Sequence, residues 1–182
     1  DIWKSEVDGY NPEKLVNSDS FSSGTLGMTM SPNGEILFFN IASTLTNMYE
    51  VNIMDGSYTP VSTNFGGNSY YFNNAIWESN EAFYFHQSDG TSPNLFRYDI
   101  NSGTLESISY STDSCYDLCD SDNSLYYFSR DNEASGYHSF NKYSNGNSEE
   151  LLQFATDTYC PSGLKVLNDC NGFIFWSVCN QR

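Results

Sequence analysis

A chain of 182 residues is long enough to bury one sizeable core and short for two. Aromatics make up 16% of it, with 14 Tyr and 13 Phe, so rings rather than aliphatic runs supply its apolar burial. Lys+Arg 7 against Asp+Glu 23 gives a net charge of -16, which repels phosphate backbones and anionic lipid and so argues against nucleic acid and membrane surfaces as partners.

The chain opens on "DIWKSEVDGYNPEKLV", where Ile2-Trp3 and Leu15-Val16 flank a polar turn at Asp8-Gly9. That is the pattern of a β-hairpin. Apolar triplets between polar turns follow at "ILFFN" (Ile36 to Asn40), "AFYFH" (Ala82 to His86), "SLYYFS" (Ser124 to Ser129) and "FIFWS" (Phe173 to Ser177). Their centres, Phe38, Tyr84, Tyr127 and Phe175, step by 46, 43 and 48 residues. A second series, "MYEVNIMDGSYTPV", "LFRYDINSGTLESI" and "SFNKYSNGNSEELL", follows the first three triplets and carries Gly56, Gly103 and Gly146. Gly9 precedes Gly56 by 47 residues, so the opening hairpin belongs to this series.

Each period reads as four short strands, here a to d. In the second full repeat they are "NAIWES", "AFYFHQ", "NLFRYDI" and "LESISY", with turn residues at Ser79-Asn80 and at Asn101-Ser102-Gly103. Helical periodicity is nearly absent, and no run approaches the roughly 20 apolar residues that span a bilayer. A four-stranded unit of about 40–50 residues, repeated, predicts an all-β, four-bladed β-propeller. An irregular β-sandwich is the alternative, but a sandwich does not require equal spacing. One domain over 1–182 follows, with blades at approximately 17–63, 64–110 and 111–154. The last blade joins 155–182, as strands a–b, to the N-terminal strands c–d of 1–16. Closure of that kind removes two exposed sheet edges; either the chain's own hairpin or a neighbour's can supply it, and the chain's own is expected.

The aromatic strands b (Phe38-Phe39-Asn40, Tyr84-Phe85-His86, Tyr127-Phe128-Ser129, Phe175-Trp176-Ser177) and the Ile2 to Gly9 hairpin resemble the YWTD propeller repeats of low-density lipoprotein receptor-type proteins and related bacterial extracellular propellers. The Asp that ends the family's motif is missing here, and the receptor propellers have more blades. The resemblance implies the fold and an extracellular binding or structural role. It implies no catalytic residue.

Five Cys and a surface rich in Ser, Thr and Asn fit an oxidising, extracellular or cell-surface location. No Asn-x-Ser/Thr sequon occurs, so glycans are expected on Ser or Thr. Cys115 and Cys119 lie four apart on one predicted strand, roughly 13 Å, too far to bond to each other. Cys170 and Cys179 flank the last strand b and are likewise separated. Aligning the repeats pairs Cys115 with Cys160 and Cys119 with Cys170, which leaves Cys179 over.

No nucleophile elbow, Walker loop or dinucleotide turn is present, and no spacing joins His86 or His138 to further ligands. The two histidines read as solvated loop-edge residues. Asp113, Asp117, Asp120 and Asp122, with Asp131-Asn132-Glu133, offer hard oxygen ligands for calcium, without EF-hand spacing. The d–a loops "NFGGNSYYFNN" and "ATDTYCPSG" carry Tyr70, Tyr71 and Tyr159, which with His86 form a candidate ligand surface. Strand alternation equally makes Tyr70 and Phe72 core residues of strand a. The expected function is a non-catalytic extracellular module with protein partners, a second copy included, as in a surface layer, matrix or fibre. A lectin-like glycan binder using the aromatic loops is the alternative, and a hydrolase organised by calcium a third reading.

Overall fold

The structure, a computed structural model, describes residues 1–6, 9–17, 25–41, 48–61, 69–88, 93–109, 112–130, 137–155, 161–167 and 169–177. The elements found there are all strands. A hairpin of β1 (Ile2–Lys4) and β2 (Glu13–Val16) leads into a first sheet of β3 (Thr25–Met30), β4 (Ile36–Ile41), β5 (Met48–Asn52) and β6 (Tyr58–Pro60). The second sheet holds β7 (Ser69–Trp77), β8 (Ala82–Ser88), β9 (Pro93–Asp99) and β10 (Thr104–Ser109), and the third β11 (Thr112–Cys119), β12 (Ser124–Arg130), β13 (Tyr137–Ser144) and β14 (Asn147–Ala155). A hairpin of β15 (Pro161–Val166) and β16 (Phe173–Ser177) completes the order. Every pairing is antiparallel between strands consecutive in sequence, so the four-strand unit expected from the repeat is observed in each of the three sheets.

Turn chemistry sets these registers. At Asn145 and Gly146 both φ angles are positive, 52° and 78°, as a two-residue hairpin with the right twist requires. Gly56 has φ 71°, and a Cβ there would lie 2.7 Å from the Leu15 carbonyl oxygen, so this turn is pressed against the opening hairpin. Asp99 Oδ1 accepts the Ser102 N–H at 2.9 Å and closes the β9–β10 turn.

The triplets of β4, β8 and β12 read as continuous apolar runs because these strands are buried on both faces. Phe38 turns towards the second sheet, where it meets Phe83 at 4.9 Å between ring centroids, while Phe39 packs with Ile2, Leu15 and Val16 of the opening hairpin. Between the second and third sheets lie Tyr84, Leu95, Tyr116, Leu125 and Tyr127. Between the third sheet and the last hairpin lie Phe128, Phe140, Leu164, Val166, Phe173 and Phe175. The core is thus a series of layers: hairpin, three sheets, hairpin. First strands meet along one side, through Trp77 Nε1 donating to Thr29 Oγ1 at 2.7 Å and Val166 N–H donating to Asp117 Oδ2 at 2.7 Å.

The expected fourth sheet differs in one respect. Its halves stand as separate two-stranded hairpins, and no ladder joins β16 to β1 among the described residues. The β1–β2 hairpin packs on the first sheet and β15–β16 on the third.

Candidate functional site

Strand alternation gives each terminal hairpin one buried and one uncovered face. On β16, Phe173 and Phe175 turn inwards, Phe173 lying 4.1 Å from the Phe140 ring centroid and Phe175 lying 5.5 Å from Phe128. Ile174 and Trp176 turn the other way, and both are more than half exposed. The Trp176 ring lies across Gly163 of β15, where any Cβ would collide with it. On β1, Ile2 is buried against the first sheet and Trp3 is more than half exposed, with Lys14 Nζ 5.3 Å above its ring. Along β3, Thr29 faces the second sheet through its bond to Trp77, so Met28 and Met30 face away from it, again more than half exposed.

These uncovered side chains lie on the two terminal hairpins and on β3, an edge strand of the first sheet. Exposed apolar rows beside strands with an unpaired edge are the arrangement that accepts another strand. The local charges do not oppose this. Lys4 pairs with Glu13 at 3.2 Å and also donates to the Ile53 carbonyl oxygen at 3.0 Å, and Lys14 pairs with Asp1 at 2.9 Å.

The last hairpin is fixed to the third sheet by more than rings. Cys119, at the end of β11, is disulfide-bonded to Cys170 in the β15–β16 turn, with 5.7 Å between Cα atoms. This is one of the two pairings expected from strand register. Of the other, Cys115 is buried and Cys160 lies outside the described residues, as does Cys179. Asp117, beside Cys119 on β11, bridges to β15 through Val166 N–H and the Lys165 ammonium, the latter at 2.9 Å.

Among the described residues the candidate calcium ligands form no set of three. Asp117 is engaged as described, and Asp122 accepts the Ser124 N–H at 3.0 Å and pairs with Lys142 at 2.8 Å. Burial alone would raise the Asp122 carboxyl, but these partners hold it below its ordinary value. One set of metal-type ligand atoms is found among the described residues, the Cys119 and Cys170 sulfurs with an Asp122 oxygen, within 4.8 Å of one another. Sulfurs bonded to each other offer no thiolate, so the set is a disulfide with a neighbouring carboxylate rather than a metal centre. Asp131-Asn132-Glu133 lie outside the described residues.

The candidate ligand residues are only partly brought together. Strand β7 begins at Ser69, which puts Tyr70 and Tyr71 in the strand rather than in a loop; across it Tyr71 pairs with His86 and Tyr70 with Gln87. Tyr159 lies outside the described residues. The histidines are not solvated: His86 is 7% exposed and His138 2%, and they stand in different sheets. Each sits in a strand flanked on both faces, which the two-residue view of a loop edge does not reveal. Sequence reasoning missed the polar groups between the second and third sheets, Glu78, Arg97, Glu106 and Tyr143, because each comes from a different strand or turn.

No family model and no curated protein sequence matches the chain. Among solved structures it is similar to one from a structural and mechanistic study of two prolyl endopeptidases, with a TM-score of 0.49 and 10% identity. The likeness covers 81% of this chain and 23% of that one, so the chain spans less than a quarter of the other's length. It transfers no activity and no site.

Proposed function

We propose that this chain is a non-catalytic structural and interaction module of the extracellular space, a four-bladed propeller whose last blade forms when the free edge of β16 takes up a β1–β2 hairpin. The observation that carries the reading is the pair of uncovered apolar faces, Ile174 and Trp176 on one side and Met28, Met30 and Trp3 on the other, flanking two strand edges that have no ladder among the described residues. In such a sheet Ile174 and Trp176 would rest on the first sheet beside Met28 and Met30. Trp3 would be covered from the side of the third.

The hairpin is the chain's own in a closed disc. Supplied by a neighbour, it makes a row of beads, as a surface layer, matrix or fibre needs. The disulfide between Cys119 and Cys170 and the acidic, hydroxyl-rich composition support an extracellular setting. Electron microscopy of the native material, with small-angle X-ray scattering of the purified chain, tests this. Closed discs, single or in rows, are expected. An open arc at every concentration would overturn it.

A further inference from the structure

Between the second and third sheets lies a cavity of about 240 Å³, lined by Glu78, Tyr84, Arg97, Glu106, Asn123 and Tyr143 together with the turn at 144–146 and Asp122. It is separate from the terminal hairpins, and its contents do not depend on how the fourth sheet closes. Its volume is that of roughly eight waters at liquid density, room for a ligand of about that many heavy atoms.

Two of its three carboxylates already have cations. Glu78 accepts from Arg97 Nε at 2.6 Å and from Asn123 Nδ2 at 3.2 Å. Asp122 is paired with Lys142 at 2.8 Å. Glu106 has a different partner: the Tyr143 hydroxyl donates to it at 2.6 Å, and no ion pair reaches it among the described residues. Arg97, its cross-strand neighbour in the β9–β10 ladder, is turned to Glu78 and Asp99, so the half-buried Glu106 carboxylate carries no direct ion pair among the described residues. The rings of Tyr84 and Tyr143, both in the cavity wall, stand edge to face, 6.2 Å apart at 80°.

We propose that this cavity binds an ammonium group carried on a short aliphatic chain, with Glu106 as its counter-ion and the two tyrosine rings as its walls. A metal ion fits less well, because the three carboxylates do not form a set with ligand atoms within 4.8 Å of one another. An anion would meet three carboxylates and one guanidinium that is already engaged by Glu78 and stands 3.8 Å from Asp99. The cavity wall includes three hairpin turns, around Glu78, Asn123 and Asn145-Gly146, so either a lysine side chain of a partner protein or a free amine can enter from that side.

The test is an amide chemical-shift titration of the native chain with N-acetyl-lysine methylamide and with 1,5-diaminopentane, beside N-acetyl-norleucine methylamide as the uncharged isostere. Saturable shifts at Asn123 and Gly146 are expected with at least one ammonium compound, weakened about tenfold in Glu106→Gln and severalfold by raising salt. Preference for the lysine derivative identifies a protein side chain as the source, and preference for the diamine a free amine. No saturable shift up to about 20 mM of either compound, equal binding of the norleucine compound, or undiminished binding by a natively dispersed Glu106→Gln would overturn the proposal. Insensitivity of the native chain to salt would do so without any variant.

Discussion

Removing the Asp117 carboxylate should loosen the last hairpin from the third sheet. The side chain is 13% exposed, and its Oδ2 accepts the Val166 N–H at 2.7 Å across 49 residues of sequence. A hydrogen bond to a charged acceptor contributes about 1.5–3 kcal/mol, and Asp117→Ala also leaves the Val166 N–H buried without that partner. The Lys165 pair adds little, since the lysine side chain is 61% exposed and such pairs contribute about 0–1 kcal/mol. Asp117→Ala should therefore cost about 2–3 kcal/mol and lower Tm by about 5–10 °C for a chain of this size, while Lys165→Met should cost about 0.5 kcal/mol. Urea unfolding followed by tryptophan fluorescence reads both values. The reasoning fails if Asp117→Ala lies within about 0.5 kcal/mol of the native chain, or if Lys165→Met costs as much. A calcium-dependent rise in Tm lost in Asp117→Ala would instead return this carboxylate to a metal-binding role.

Replacing Cys119 and Cys170 together by Ser opens a loop with a sequence separation of 51, which the chain-entropy model values at about 4 kcal/mol; a loss of about 2–4 kcal/mol on denaturation is expected. Gly163→Ala should displace the Trp176 ring that lies over it, seen as a shift of tryptophan emission with a smaller loss of stability than the disulfide variant. Burial pushes the Tyr84, Tyr98, Tyr116, Tyr127 and Tyr143 hydroxyls up, and in Tyr84 and Tyr143 a neighbouring glutamate adds to it. Folding keeps these phenols neutral, so the stability they confer is complete below the ordinary phenol value near 10 and is lost as pH rises towards their folded values. Absorbance at the phenolate band should show these tyrosines ionising only with unfolding, above about pH 10. Their ionisation in a folded chain near pH 10 would contradict their burial.

The repeat was legible because two-sided burial writes itself as an uninterrupted aromatic triplet, and because Gly56, Gly103 and Gly146 mark turns that need positive φ. The Cys119–Cys170 bond was legible for the same reason: register carried from one repeat to the next places both sulfurs at one level. Side-chain partners drawn from different repeats were not. Asp117 reads as one acid in an acidic run, and only the approach of β15 makes it a bridge. Tyr71 and His86 reach one another through the β7–β8 pairing, beyond a bulge whose position periodicity does not fix. Glu106 and Tyr143, on the β10 and β13 strands, meet only because the second and third sheets stack, and nothing local in either segment announces it.

Native-state hydrogen exchange of the β16 amides not bonded to β15, followed across protein concentration, tests the proposed blade closure most directly. Strong protection is expected. It should be independent of concentration if the chain supplies its own β1–β2 hairpin, and should grow with concentration if a neighbour supplies it. Exchange at unstructured rates at every concentration, with β12 and β13 fully protected, would show that β16 stays an open edge and would contradict it.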